Sequence, residues 1–137
     1  MAPHRLLELP QIPDDRGKLT FIEEGLHIPF EIRRVFYIYE VPRGQSRASH
    51  ERTGVDEVLV ALSGSFEVVT EFAGERDAVT LDRPDVGLYL PGIVWRELRG
   101  FSPGAVCLVL ASERYNPAVY HLDGDVPEAN SSQRMDE

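Results

Sequence analysis

The chain has 137 residues, 42% of them apolar, and carries a formal net charge of −9, with 14 Lys+Arg against 23 Asp+Glu. This length is enough for one domain with a single packed core. The acidic balance excludes a nucleic-acid backbone as the main partner, because phosphate needs a basic surface, and no run approaches the ~20 apolar residues of a membrane-spanning helix.

In chain order, the N-terminal MAPHRLLELP has no apolar signal-peptide core. The single cysteine, Cys107 in AVCLVLA, has no partner for an internal disulfide and reads as a buried, inert thiol. Together these point to a cytoplasmic protein. No segment holds a 3.6-residue apolar period for the length of a helix. Short apolar or alternating runs appear instead: LLEL (6–9), KLTFIE (18–23), RRVFYIYEV (33–41), EVLVALS (57–63), SFEVVTEF (65–72), AVTL (78–81), VGLYL (86–90), VWRELR (94–99) and AVCLVLA (105–111). Gly, Pro and Asp break them at regular intervals, the pattern of an all-β barrel or sandwich. LSGSF (62–66) and EFAGERDA (71–78) read as hairpin tips; DRPD (82–85) and Pro91-Gly92 mark further turns. One domain is expected over 1–125, with 126–137 as a polar, frayed tail.

Strand alternation sorts the polar residues into faces. Glu57 shares a face with Leu59 and Ala61, and Arg96 with Val94 and Leu98. Tyr37 shares one with Arg33, Val35 and Tyr39. His50 and Arg52 face the same way if 48–52 is a strand.

Residues 44–64 read GQSRASHERTGVDEVLVALSG. Gly44, His50, Glu57 and Gly64 stand at the spacing of the first cupin motif, G-x5-H-x-H-x(3,4)-E-x6-G, but Arg52 takes the second histidine's place. PGIVWR (91–96) resembles the second motif's ending, P-x-G-x2-H, with Arg96 at the final ligand position. The resemblance implies a cupin (RmlC-like) jelly roll. A guanidinium has no lone pair to give a metal, so the chain reads as a barrel without a metal or any other cofactor.

Longer blocks resemble one cupin family, the sugar-nucleotide 3,4-ketoisomerases. PDDRGKLTFIEE (13–24) is similar to the family's D-x-R-G-x-L element, and IPFEIRRVFYIYEVPRG (28–44) to its I-P-F-x-I-x-R-V-Y-Y-I run. DEVLVALSGSFEV (56–68) resembles its E-Q-V-L-V-x-L-x-G-S strand pair, and LDRPDVGLYLPGIVWRE (81–97) its L-x-x-P-x-x-G-L-x-V-x-P-x-x-W-H-E segment. This implies a metal-free homodimer, often with an exchanged N-terminal strand, that acts on dTDP-4-keto-6-deoxyglucose. The family's R-G-x-H-A-H is here Arg47-Ala48-Ser49-His50-Glu51-Arg52, and its W-H-E is Trp95-Arg96-Glu97.

Moving a carbonyl from C4 to C3 of a hexose passes through an enediol. A base takes the C3 proton, a proton returns to C4, and the two oxygens exchange a proton. One imidazole can be both base and acid, and cationic donors in a dry pocket stabilise the oxyanion. On this reading His50 moves the carbon proton and Tyr37, matching a family tyrosine, relays the oxygen proton. Arg52 and Arg96 hold the enediolate or the sugar hydroxyls, and Glu57 fixes one of them. Arg16 and Arg34 match basic family positions and would bind the diphosphate bidentately. Arg47 belongs to the same local arginine set, and Trp95 would line the sugar or stack on the base. The plainer alternatives are a hydrogen-bonded barrel histidine, a core tyrosine and a packing tryptophan. Two other functions stay open: a sugar-nucleotide-binding homologue without turnover, and a keto-sugar epimerase using the same enolisation.

Overall fold

The computed structural model describes residues 3–49 and 54–115. These form β-strands and connections without a helix, and no element is long and apolar enough to cross a membrane as a helix. One antiparallel sheet runs β1 (Arg5–Glu8), β9 (Val86–Leu90), β6 (Glu57–Ser63), β11 (Val106–Ala111), β4 (Arg34–Tyr39). A second runs β5 (Arg47–Ser49), β10 (Trp95–Arg99), β7 (Phe66–Phe72), β8 (Glu75–Leu81). A separate hairpin pairs β2 (Gln11–Asp14) with β3 (Gly17–Thr20). Neighbours in each large sheet are mostly far apart in sequence, because the chain crosses repeatedly between sheets. That is the jelly-roll arrangement of a cupin.

Alternation along the strands builds the interior. Leu59, Ala61, Leu88, Leu90, Cys107 and Val109 from the first sheet pack against Phe66, Val68, Leu81 and Leu98 from the second. The opposite parity of the first sheet, Val58, Val60 and Leu110, is covered on the outside by Leu7, Leu9 and Ile28, with Ile22, Phe30 and Ile32 alongside. The first sheet is thus apolar on both faces, which explains why EVLVALS and AVCLVLA read as near-continuous apolar runs.

The tip between β7 and β8 is a two-residue turn. Ala73 and Gly74 both have positive φ, 53° and 81°, with Phe72 paired to Glu75 across it. This is the twist that a tight hairpin needs, and it confirms the expected tip at 71–78. Two strands escaped the sequence patterns. The β2 strand, QIPD, contains a proline and is exposed throughout, and β5 is only three residues long. Neither is long enough, or alternating enough, to stand out from a loop.

Candidate active site

The two sheets each carry a polar row at the same end of the barrel. Across the first, Arg34, Ala111, Glu57 and Leu90 are successive register partners. Across the second, Asp77, Thr70, Arg96 and Ser49 are successive partners. Paired residues share a face, and Leu90 belongs to the interior core. Glu57 and Arg34 therefore face inward on one sheet, and Thr70 and Arg96 on the other.

Glu57 and Arg96 join the two rows. The Arg96 side chain is 2% exposed and that of Glu57 10%, and Nη1 donates to Glu57 Oε1 at 2.9 Å. The rest of the guanidinium is turned onto the chain. Nε donates to Val94 O at 3.1 Å, and Nη2 to Pro91 O at 2.6 Å and Val94 O at 2.9 Å. Arg96 thus ties β6 to the turn between β9 and β10. Glu57 holds Arg96, one of the two arginines that the sequence offered as its partner.

Arg34 shares the interior row of Glu57, and its guanidinium lies 5.0 Å from the ring centre of Phe36, the next inward residue on β4. Arg47 is paired with the core residue Leu98, which turns it to the interior face of the edge strand β5. Deeper inside, burial pushes the Cys107 thiol well above its ordinary value. The Glu57 carboxylate adds to the rise and Arg47 opposes it. The thiol is protonated at neutral pH and is not a nucleophile.

The structure does not bring every sequence candidate to this interior. Tyr37 is paired with Leu108, which packs with the outer cluster. Tyr37 stands on the outer face, 61% exposed, beside Tyr39. The inward position next to it is Phe36, which packs on the interior core and has no hydroxyl. Within one copy, the expected relay by Tyr37 therefore has no path to Glu57 or Arg96. Trp95 also faces out. It is paired with Glu71 on the outer side of the second sheet, with the Arg76 guanidinium 5.6 Å from its ring centre. Arg16 sits at the tip of the β2–β3 hairpin, where its side chain is 87% exposed and bonded to Asp14 at 2.8 Å. The same contact, first among the causes, holds the Asp14 carboxyl below its ordinary value. His50 and Arg52 lie outside the described residues.

Sequence reasoning missed four inward or neighbouring residues: Phe36, Asp56, Thr70 and Gly92. The signal for Phe36 was present, since strand parity separates 36 from 37. Thr70 is 1% exposed in the middle of β7, but an isolated threonine in SFEVVTEF carries no motif.

A family model described as "FdtA: WxcM-like, C-terminal" matches residues 2–126. The chain belongs to this family. A curated relative, the TDP-4-oxo-6-deoxy-alpha-D-glucose-3,4-oxoisomerase of Aneurinibacillus thermoaerophilus, is 38% identical over 117 residues, covering 85% of this chain and 84% of that protein. Among solved structures, the TDP-quinovose 3,4-ketoisomerase WlaRB of Campylobacter jejuni is 36% identical, with a TM-score of 0.80 over 87% of this chain and 92% of its own. The sugar 3,4-ketoisomerase QdtA of Thermoanaerobacterium thermosaccharolyticum, in complex with TDP, is 39% identical, with a TM-score of 0.78 over 85% of each chain. A histidine-to-asparagine variant of QdtA has been solved in complex with TDP-4-keto-6-deoxyglucose.

Proposed function

We propose that this chain is a TDP-4-keto-6-deoxyhexose 3,4-ketoisomerase that moves the keto group from C4 to C3 through an enediol. The observation that carries this reading is likeness, at 36–39% identity and over most of the chain, to proteins named for this activity. The barrel interior supports it, with the buried Glu57–Arg96 pair and with Arg34 and Arg47 at inward register positions of the edge strands β4 and β5.

In this mechanism His50 takes the C3 proton and returns one to C4. Arg34, Arg47 and Arg52 supply the cationic donors that hold the diphosphate and the developing enediolate. With Phe36 at the inward position of β4, the proton moving between O3 and O4 travels through water or His50 rather than a phenol on that strand. Arg96 acts at one remove. Most of its donors are committed to Glu57, Pro91 and Val94, so it shapes the wall rather than gripping substrate. With its carboxylate already paired to a guanidinium, Glu57 is a poor ligand for a divalent ion. The chemistry proceeds without metal on this account, and elemental analysis finding a stoichiometric transition ion would contradict it.

We also infer a homodimer. Val35, Tyr37 and Tyr39 are each more than half exposed on the outer face of the edge strand β4, and Ile12 and Leu19 on the projecting hairpin are equally bare. Apolar area of this kind marks an interface, and a second copy is what would bring Arg16 near a sugar nucleotide. Light scattering would show a mass of two chains; a monomer would rule out that role for Arg16. The function itself is tested by incubation with TDP-4-keto-6-deoxyglucose, with formation of the 3-keto isomer as the expected outcome.

A further inference from the structure

The polar row of the second sheet ends at Asp77, on the edge strand β8. Asp77 shares its alternation with Val79 and Leu81, which pack in the interior core, so it stands on the inward face beside Thr70. Its partner comes from the first sheet. His4 precedes β1, an edge strand of that sheet. It stands two residues before Leu6, the register partner of the core residue Leu88. Between the two edges, His4 Nε2 and Asp77 Oδ2 are 3.0 Å apart.

The two members of this pair are unequally placed. The His4 side chain is only 8% exposed, whereas that of Asp77 is 58% exposed. His4 Nδ1 is buried and has no hydrogen-bond partner among the described residues. A buried histidine normally has its ring nitrogens bonded; this one leaves Nδ1 bare and spends Nε2 on Asp77. The other carboxylate oxygen is held too, because Ala78 N donates to Asp77 Oδ1 at 2.9 Å. These bonds, that of His4 first, hold the Asp77 carboxyl below its ordinary value. The result is an ionised carboxylate, fixed in direction, open to solvent, and with lone pairs left on both oxygens.

We propose that Asp77 is a substrate-binding residue that accepts a hydrogen bond from an uncharged O–H or N–H donor of the sugar nucleotide, and that His4 positions it. The inference deepens the proposed function and rests on it. Charge sorts the parts of the ligand. Arg34 and Arg47 lie on β4 and β5, the other edges of the two sheets, so the diphosphate belongs on that side, away from Asp77. The donors left for a carboxylate are the hexose hydroxyls or, on thymidine, the imide N–H and the deoxyribose hydroxyl. Glu57 cannot take this part, because Arg96 already holds it. A hydrogen bond to an ionised acceptor is one of the stronger single contacts available.

The test compares wild type with Asp77→Ala, His4→Ala, His4→Gln and, as a destabilised control, Phe101→Leu. The control thins the stack on Phe66, at the other end of β7 from Thr70. Steady-state constants for TDP-4-keto-6-deoxyglucose, and TDP affinity by calorimetry, are measured well below each variant's Tm. Asp77→Ala should raise KM roughly 10- to 100-fold, the worth of a hydrogen bond to a charged group, with kcat within about threefold. Unchanged TDP affinity then assigns the donor to the hexose; a matching loss of TDP affinity assigns it to thymidine. His4→Ala should raise KM in the same direction by less. His4→Gln, whose amide N–H can still reach the carboxylate, should restore it. Phe101→Leu should lower Tm and change neither KM nor TDP affinity. Wild-type KM and TDP affinity in Asp77→Ala overturn the proposal, and so does an equal rise of KM in Phe101→Leu. Wild-type KM in His4→Ala, or a rise that Gln fails to reverse, overturns the positioning by His4. If the wild type binds TDP-4-keto-6-deoxyglucose without isomerising it, the functional reading fails, and calorimetric affinity for that ligand replaces KM in the same comparison. A wild type that binds neither ligand overturns both.

Discussion

Arg96→Met removes a buried cation while nearly keeping its volume. It leaves the Glu57 carboxylate, 10% exposed, without its partner, and takes from Pro91 O and Val94 O the donor that both share. Breaking one side of a buried ion pair typically costs about 3–5 kcal/mol, because the remaining charge is stranded. Unfolding entropy near Tm is about 2.1 cal/mol/K per residue, so for 137 residues that loss lowers Tm by roughly 10–17 °C. Adding Glu57→Gln to Arg96→Met removes the stranded charge and should recover more than about 1 kcal/mol, since the two sites are directly coupled. Calorimetry on wild type, both single variants and the double variant gives the full cycle. If Arg96→Met costs less than about 1 kcal/mol, or the double variant is no more stable than Arg96→Met, the pair does not hold the barrel wall as described.

His50→Asn should keep TDP binding while turnover falls by about 10²–10⁴-fold, the usual worth of a general acid–base group; unchanged turnover in a steady-state assay would place the base elsewhere. Tyr37→Phe should leave kcat within about twofold, because the ring faces outward, whereas Phe36→Tyr adds a hydroxyl on the inward face and should raise kcat if oxygen-proton transfer limits the rate; side-by-side kinetics of the two variants check the face assignment. The Arg83 guanidinium, the largest influence, holds the Asp85 carboxyl below its ordinary value. A carboxylate depressed in the folded state contributes stability that is present above its unfolded value and lost as pH falls through the folded one. Asp85→Asn should therefore flatten the fall of Tm between about pH 5 and pH 2, and an unchanged acid slope would show that this pair contributes nothing.

The fold could be read in the sequence because both faces of the first sheet are apolar and its strands are bounded by turn residues. EVLVALS, SFEVVTEF and VGLYL match the observed strands to within a residue. Parity also placed Glu57 and Arg96 on inward faces, since each shares its alternation with core leucines. Parity was available for Tyr37 as well, but the family likeness of its tyrosine pair drew the expected role to the member that faces outward. The chain keeps a tyrosine at 37 and carries phenylalanine at 36, and only position 36 faces the interior. Trp95 was expected at the site because it is an aromatic beside a motif arginine, yet it lies one residue away and therefore on the opposite face. The Asp56–Gly92 contact joins residues 36 apart in sequence. Such a contact depends on how two turns meet, which no local pattern records.

In the proposed reaction the carbonyl migrates from C4 to C3 by protonation of an enediol. The most direct test is NMR of TDP-4-keto-6-deoxyglucose incubated with the protein in deuterated water. Wild type should form a 3-keto product carrying deuterium at C4, and His50→Asn should form almost none. Saturable binding with the C4 carbonyl unmoved, or deuterium entering C5 without migration, would contradict this mechanism.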